Sequence, residues 1–304
     1  MPNTLPTERP NRRTRGLDRQ STLDILRILN REDSRVPAAV ARAIPAVARA
    51  VERVVRGWRL GGRLIYVGAG TSGRLGALDA AECPPTFAVP AGRVRAVIAG
   101  GRRALDWAVE GAEDSAPQGA RDLGKLRVGP QDVIVGLTAS GSTPYVAGAL
   151  ASARRRRATT VLVTTNPRPP IRKLADIAIV ADVGPEAVAG STRMKSGTAQ
   201  KLLLNMLTTA AMARLGRVYD NQMVYVALTN RKLRRRGRQL LVEAAGVNPA
   251  QAKRALARAG GDLPTALVML KAGVGKAEAQ RRLRLMRGHV RRAIEIDEKR
   301  PPAH

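Results

Sequence analysis

The sequence predicts an α/β fold: a parallel sheet flanked by helices, preceded by N-terminal helices and followed by a small helical domain. Three observations predict it. Five short apolar runs, Leu64–Val67, Val94–Ile98, Val133–Leu137, Val161–Thr164 and Ile177–Val180, read as buried strands. Segments of helical periodicity separate most of them, and that alternation indicates a parallel sheet. Beyond Arg231 no strand-like run occurs.

In chain order, Ser21-Thr22 opens a helix carrying Leu23, Leu26, Ile28 and Leu29. A second helical pattern runs from about Pro37 to Trp58 through Val40, Ile44, Val47 and Val51. The strand Leu64–Val67 then ends in a glycine-rich turn. Between the strands, helices are expected at Leu75–Ala81, Ala104–Glu113, Pro144–Arg156 and, less sharply, around Ile171–Ala175. Pro84 and Pro85 are expected to end the first of these, because proline removes a donor and crowds the preceding turn. A long helix follows from about Gly197 to Leu215. Asn248-Pro249 is a cap residue followed by proline at the first helical position. Gly260-Gly261-Asp262 is a turn into Pro264–Leu270. The expected domains are a helical segment at 1–49, the α/β domain at 50–220 and the helical domain at 221–304.

Composition excludes several functional classes. The 304 residues are 44% hydrophobic and 25% charged, which describes a soluble globular protein. No apolar run reaches the roughly 18 residues of a membrane span. The N-terminus lacks the apolar core of a secretion signal, so a cytoplasmic location is expected. A lone Cys83 rules out an internal disulfide and any multi-cysteine metal site. The two histidines, His289 and His304, both lie near the C-terminus, which leaves acid/base chemistry to carboxylates. The net charge of +29 raises nucleic acid as a partner. Yet the excess is spread along the chain, with local runs only at Arg154–Arg157 and Arg231–Arg238. Two Trp, four Tyr and one Phe offer few rings for bases to stack on. No specific nucleic-acid partner is expected.

Three loops stand out. Gly68-Ala69-Gly70-Thr71-Ser72-Gly73-Arg74 follows a strand and satisfies the Gly-x-Gly-x-x-Gly spacing of dinucleotide-binding loops. The acidic residue that would hold a ribose at the end of the second strand is missing, where Ala99-Gly100-Gly101 stands instead. Thr138-Ala139-Ser140-Gly141-Ser142-Thr143 likewise follows a strand and precedes Pro144, bringing hydroxyls and free N–H groups to a helix start. Gly190–Thr198 repeats the pattern and adds Arg193 and Lys195. One such loop is ordinary capping; three in one α/β domain favour a compact phosphorylated ligand, and the hydroxyl density suits a sugar phosphate. Glu82 and Glu113 lie near these loops in sequence. They are candidate catalytic carboxylates, with solvated loop positions as the alternative.

At Leu64–Phe87, Ala108–Ser115 and Gly190–Leu207 the sequence closely resembles the N-acetylmuramic acid 6-phosphate etherases. These belong to the sugar isomerase (SIS) domain group and are related to the glucokinase regulatory protein. The likeness extends from about Leu17 past Leu233, and its Ala81–Thr86 (AECPPT) and Glu110–Ser115 (EGAEDS) segments are the most specific part. The resemblance implies a SIS-type sheet, a homodimer, and cleavage of the D-lactyl ether of N-acetylmuramic acid 6-phosphate without metal or redox cofactor. It implies that Glu82 is the acid/base residue and Glu113 the second catalytic carboxylate. It implies sugar or phosphate contacts from Ser72 and from Ser140, Gly141, Ser142 and Thr143, with Ser191 and Lys195 as further candidates. Residues 245–267 look like a ubiquitin-associated-type helical fold. Two positions depart from the pattern: Ser142 stands where the family usually has Arg, and Tyr225 where it usually has Asp. A non-catalytic sugar-phosphate sensor on the same scaffold is the alternative. An aldose–ketose isomerase is disfavoured by the AECPPT and EGAEDS segments.

Overall fold

A computed structural model describes residues 6–296 apart from 227 and 229. Both ends of the expected domain scheme, 1–5 and 297–304 with His304, lie outside the described residues. The helices are α1 (Thr22–Asp33), α2 (Val36–Arg59), α3 (Gly70–Phe87), α4 (Ala116–Gly124), α5 (Pro144–Arg155) and α6 (Lys195–Arg214), then α7 (Arg231–Ala245), α8 (Pro249–Arg258), α9 (Leu263–Ala272), α10 (Lys276–Leu285) and α11 (Val290–Glu295). The strands are β1 (Leu64–Gly68), β2 (Val94–Ile98), β3 (Val133–Leu137), β4 (Thr159–Thr164) and β5 (Ile177–Val180). No helix among the described residues is long and apolar enough to cross a membrane.

The five strands form one parallel sheet in the order β2-β1-β3-β4-β5. Strands β1 and β3 are buried at every position, as the continuous apolar runs require of a sheet covered on both faces. Alternation divides β1 between two layers. Ile65 and Val67 join a cluster with Ile134, Leu123 of α4, and Val146 and Leu150 of α5. Tyr66 points the other way and donates its hydroxyl to Asp79 of α3 at 2.7 Å. Thr208 of α6 donates to the second oxygen of Asp79 at 3.1 Å, so one buried carboxylate fastens sheet, α3 and α6 together.

Contacts group the chain into two units: Met1–Ala81 with Ala91–Thr208, and Glu82–Pro90 with Thr209–His304. The second unit carries its own core, in which Leu240 and Leu241 of α7, Leu256 of α8, Leu267 of α9 and Val290 of α11 pack together. Its caps match the sequence signals. Asn248 and Gln251 form a reciprocal capping box, and Asp262 caps α9.

Two local expectations are corrected. α3 does not stop before Pro84 but continues through Pro84 and Pro85 to Phe87. The prolines remove two helical donors, yet the burial of Cys83 and Phe87 on the same turn keeps the chain helical. The expected helix Ala104–Glu113 is absent. Two 3-10 turns, Gly101–Leu105 and Ala112–Asp114, stand there, and α4 begins after them under a Ser115 cap. Gly111, inside the expected helix, sits at φ +70°, a left-handed conformation that interrupts it. A Cβ on Gly100 would lie 2.8 Å from Cβ of Val109, so the segment folds back on itself.

Candidate active site

The register pairs Gly68 of β1 with Leu137 of β3. Their following loops therefore emerge side by side at the carboxyl edge, where the strand order reverses direction. In open α/β sheets that is where ligands bind.

The first loop owes its glycines to close approach. A Cβ on Gly68 would lie 2.8 Å from the Gly73 nitrogen, and one on Gly73 would lie 2.6 Å from Cγ1 of Ile98. The first turn of α3 thus rests directly on the ends of β1 and β2, with Ser72 half-buried beside it. Arg74 does not extend into open space. Its Nε donates to the carbonyls of Ala104 and Leu105, at 2.9 and 3.2 Å, and so holds the segment that leads to Glu113. Between them lies a cleft of about 150 Å³ lined by Gly70, Arg74, Trp107, Glu110 and Glu113. Glu113 is exposed on its 3-10 turn, and Trp107 is 71% exposed at the cleft's rim.

The second loop is ordered by its own hydroxyls. Thr138 Oγ1 is 2.7 Å from Thr143 Oγ1 and 3.2 Å from Ser140 Oγ, and it accepts from the Gly141 N–H. Ser140 Oγ accepts from both the hydroxyl and the N–H of Ser142, at 2.9 and 3.2 Å. Asn166, after β4, donates to the Ser140 carbonyl at 2.7 Å. Gly141 has φ +70°, and a Cβ there would meet Pro169 at 2.4 Å, so only glycine fits. Four hydroxyls are held within one turn and ready to exchange partners with an anion.

The third turn adjoins both. Ser196, in the first turn of α6, accepts a hydrogen bond from Thr165 Oγ1, which also donates to the Ala139 carbonyl of the second loop. A Cβ on Gly197 would lie 3.5 Å from Thr71. The α6 N-terminus, however, is already satisfied. Glu186, fully buried, accepts from the N–H groups of Lys195 and Ser196, each at 2.9 Å.

Lys195 likewise has a structural partner. Its side chain is 0% exposed and its Nζ donates to Glu32 of α1 at 2.7 Å. Asn11 and Arg13 donate to the same carboxylate at 2.7 and 2.6 Å. Burial alone would push the Glu32 carboxyl up. Hydrogen bonds from Arg13, Lys195 and Asn11 outweigh it and hold the group down at about 2. The expected substrate-binding Lys195 is thus engaged elsewhere in this structure, and Ser191 stands in the turn that it anchors. Glu82 is an exposed residue of α3, in the stretch that groups with the second unit. Tyr225 also belongs to that unit. It donates its hydroxyl to the Gly288 carbonyl at 2.6 Å while the Arg217 guanidinium lies over its ring.

Sequence reasoning overlooked Glu32, Glu186 and Trp107. Nothing local signals the first two, because their partners are distant in the chain or backbone groups. Trp107 was legible only as a large apolar residue in a segment expected to be helical.

A parallel sheet of this order, with hydroxyl-lined loops at the carboxyl edge where the order reverses, is a doubly wound α/β domain built to bind a polar ligand there, and the family matches make it a SIS-domain protein. Residues 46–154 match the glucokinase regulatory protein N-terminal SIS domain, and residues 115–210 match the SIS domain. A phosphoheptose isomerase from Francisella tularensis shares the fold, with TM-score 0.50 and 18% identity over 64% of this chain and 100% of that one. An N-acetylmuramic acid 6-phosphate etherase of Serratia proteamaculans is 51% identical over 290 residues, covering 95% of this chain and 98% of the relative. One of Rubrobacter xylanophilus is 52% identical over 290 residues, covering 95% and 96%. The chain belongs to the N-acetylmuramic acid 6-phosphate etherase family.

Proposed function

We propose that the chain does what these relatives are named for: it cleaves the D-lactyl ether of N-acetylmuramic acid 6-phosphate, a lyase reaction of cell-wall amino-sugar recycling. The observation that carries this is about half identity, over 95% of the chain, with proteins of that name. The sensor alternative is not favoured by that full-length match.

The site residues act as follows. The hydroxyls and N–H groups of Ser140, Gly141, Ser142 and Thr143, with Ser72 on the neighbouring loop, take the phosphate and sugar hydroxyls. The open-chain sugar presents an aldehyde that acidifies the hydrogen on the adjacent carbon. Glu82 takes that proton, and the electron pair moves to expel the lactate oxygen from the next carbon. Glu113 gives that oxygen a proton and then takes one from water. The hydroxide adds where lactate left, Glu82 returns its proton to the first carbon, and N-acetylglucosamine 6-phosphate and D-lactate result. Each such transfer is worth about 10²–10⁴-fold in rate. Lys195 acts at a distance, by holding the turn that carries Ser191. The enzyme works as a cytoplasmic homodimer.

The test is incubation of purified protein with N-acetylmuramic acid 6-phosphate while D-lactate is measured. Stoichiometric release is expected. Binding of the sugar phosphate without release would falsify the etherase reading in favour of a sensor.

A further inference from the structure

One groove of the second unit has no part in the chemistry above. It measures about 620 Å³ and lies on α7 and α8. Arg231, Arg234 and Arg238 line it at helical spacing along α7, Lys253 lines it from α8, and Leu228 and Leu256 contribute apolar surface. No carboxylate pairs with Arg231, Arg238 or Lys253 among the described residues. Elsewhere on this unit the cations do find acids: Arg281 and Arg282 both pair with Glu278.

The groove is costly to its own helix. Like charges three and four residues apart repel, by about 0.2–0.5 kcal/mol a pair. Gly237, inside the arginine run, costs α7 roughly another 0.5–1 kcal/mol relative to alanine. That glycine has an identifiable purpose, since a Cβ there would lie 2.8 Å from Cδ2 of Leu228. Gly237 lets Leu228 settle against α7 and form part of the groove's apolar surface.

We propose that this groove docks an acidic, amphipathic segment of a partner protein, in which carboxylates flank a large apolar side chain. Arginine forks pair carboxylates two-pronged. A leucine or phenylalanine side chain fills the space against Leu228 and Leu256 and supplies the desolvated anchor that peptide docking needs. The other polyanions fit less well. No aromatic ring lines the groove for a nucleobase to stack on. A flat bilayer or a nucleic-acid duplex would meet the cationic rim and leave the apolar surface uncovered.

The test uses the full chain and fluorescence anisotropy. The probe is a labelled peptide of glutamates interrupted by one leucine and one phenylalanine. An all-glutamate peptide of equal length, a thymidine oligonucleotide and phosphatidylglycerol vesicles are compared with it. A triple Arg231→Gln, Arg238→Gln, Lys253→Gln variant is expected to weaken the amphipathic peptide about tenfold or more, the loss of more than one anchoring contact. A charge-matched Arg154→Gln, Arg155→Gln, Arg157→Gln variant is expected to change it by about twofold or less, the worth of screened surface charge. Leu228→Ala, which keeps every charge, is expected to weaken the amphipathic peptide and spare the all-glutamate one. Equal losses in the two triple variants would overturn the proposal, as would all-glutamate peptide, oligonucleotide or vesicles binding as tightly as the amphipathic probe. Circular dichroism on each variant separates lost binding from lost fold.

Discussion

The Lys195 ammonium and the Glu32 carboxylate lie 2.7 Å apart, both shut away from water, at positions 163 apart in the chain. Asn11 and Arg13 complete the shell around Glu32, and the Asn11 amide also reaches the Pro185 carbonyl. Thr7 and Thr14 add bonds to the backbone of Gly190 and Ala187. One buried carboxylate therefore ties the N-terminal segment and α1 to the turn that opens α6.

Lys195→Met leaves Glu32 buried without its one fully buried counter-charge, with the partly exposed Arg13 still bonded to it. Loss of one partner of a buried pair costs about 3–5 kcal/mol. Urea denaturation should show a correspondingly lower midpoint, and adding Glu32→Gln should recover part of the loss. If the double variant is no more stable than Lys195→Met, the pair is not what holds this region.

The same carboxylate sets an acid limit. Its folded value of about 2 lies below its ordinary 4.5. A depressed carboxyl stabilises the fold at pH above its unfolded value, and that contribution drains away as the pH falls through the folded one. Stability should decline from about pH 4.5 towards pH 2, and the decline should be shallower in the Glu32→Gln, Lys195→Met variant. Melting temperatures across that range are the measurement.

Glu113→Gln and Glu82→Gln should fold normally, because both side chains are exposed and such surface changes cost roughly 0.5 kcal/mol or less. D-lactate release should fall by about 10²–10⁴-fold in each while substrate binding persists. Turnover that survives either change removes that carboxylate from the chemistry.

Ser142→Arg places a cation in a loop otherwise built from hydroxyls. A charge-assisted bond to phosphate is worth about 1.5–3 kcal/mol, so KM should drop roughly tenfold or more with kcat little changed. An unaltered KM would place the phosphate away from this loop.

Trp107, exposed on the rim of the Glu113 cleft, is a natural reporter. Trp58, the other tryptophan, lies under the Arg93 guanidinium and should give a constant background. Sugar phosphate should change the emission of the native chain and leave Trp107→Phe silent. A response that persists in that variant would mean the ligand does not reach the cleft.

Much of the fold was legible because strands covered on both faces must be apolar throughout. β1, β2, β3 and β5 fall within a residue of their expected limits, and β4 begins two residues early. Misreadings cluster where tertiary contacts overrule local chemistry. Pro84 and Pro85 persist in a helix because Cys83 and Phe87 are buried beside them, and Ala104–Glu113 yields to the left-handed Gly111 and to the packing of Val109 against Gly100. For the site, the glycine and hydroxyl loops announced themselves through strand–turn–helix spacing. The commitment of Lys195 to Glu32 could not be read that way, since nothing near position 195 marks a carboxylate on α1.

The strand order carries a consequence for how the chain acquires its shape. β1 is the first strand in the chain, yet its two sheet neighbours are β2 and β3, each parallel and reached only through an intervening crossover. No strand can zip to the one before it through a tight hairpin, so every pairing waits for a long loop to close. On a ribosome, β1 emerges with both its edges bare and keeps one open until β3 is made. Refolding should accordingly be slow and prone to aggregation at that exposed central strand, and Ile65 and Val67 would be its stickiest positions.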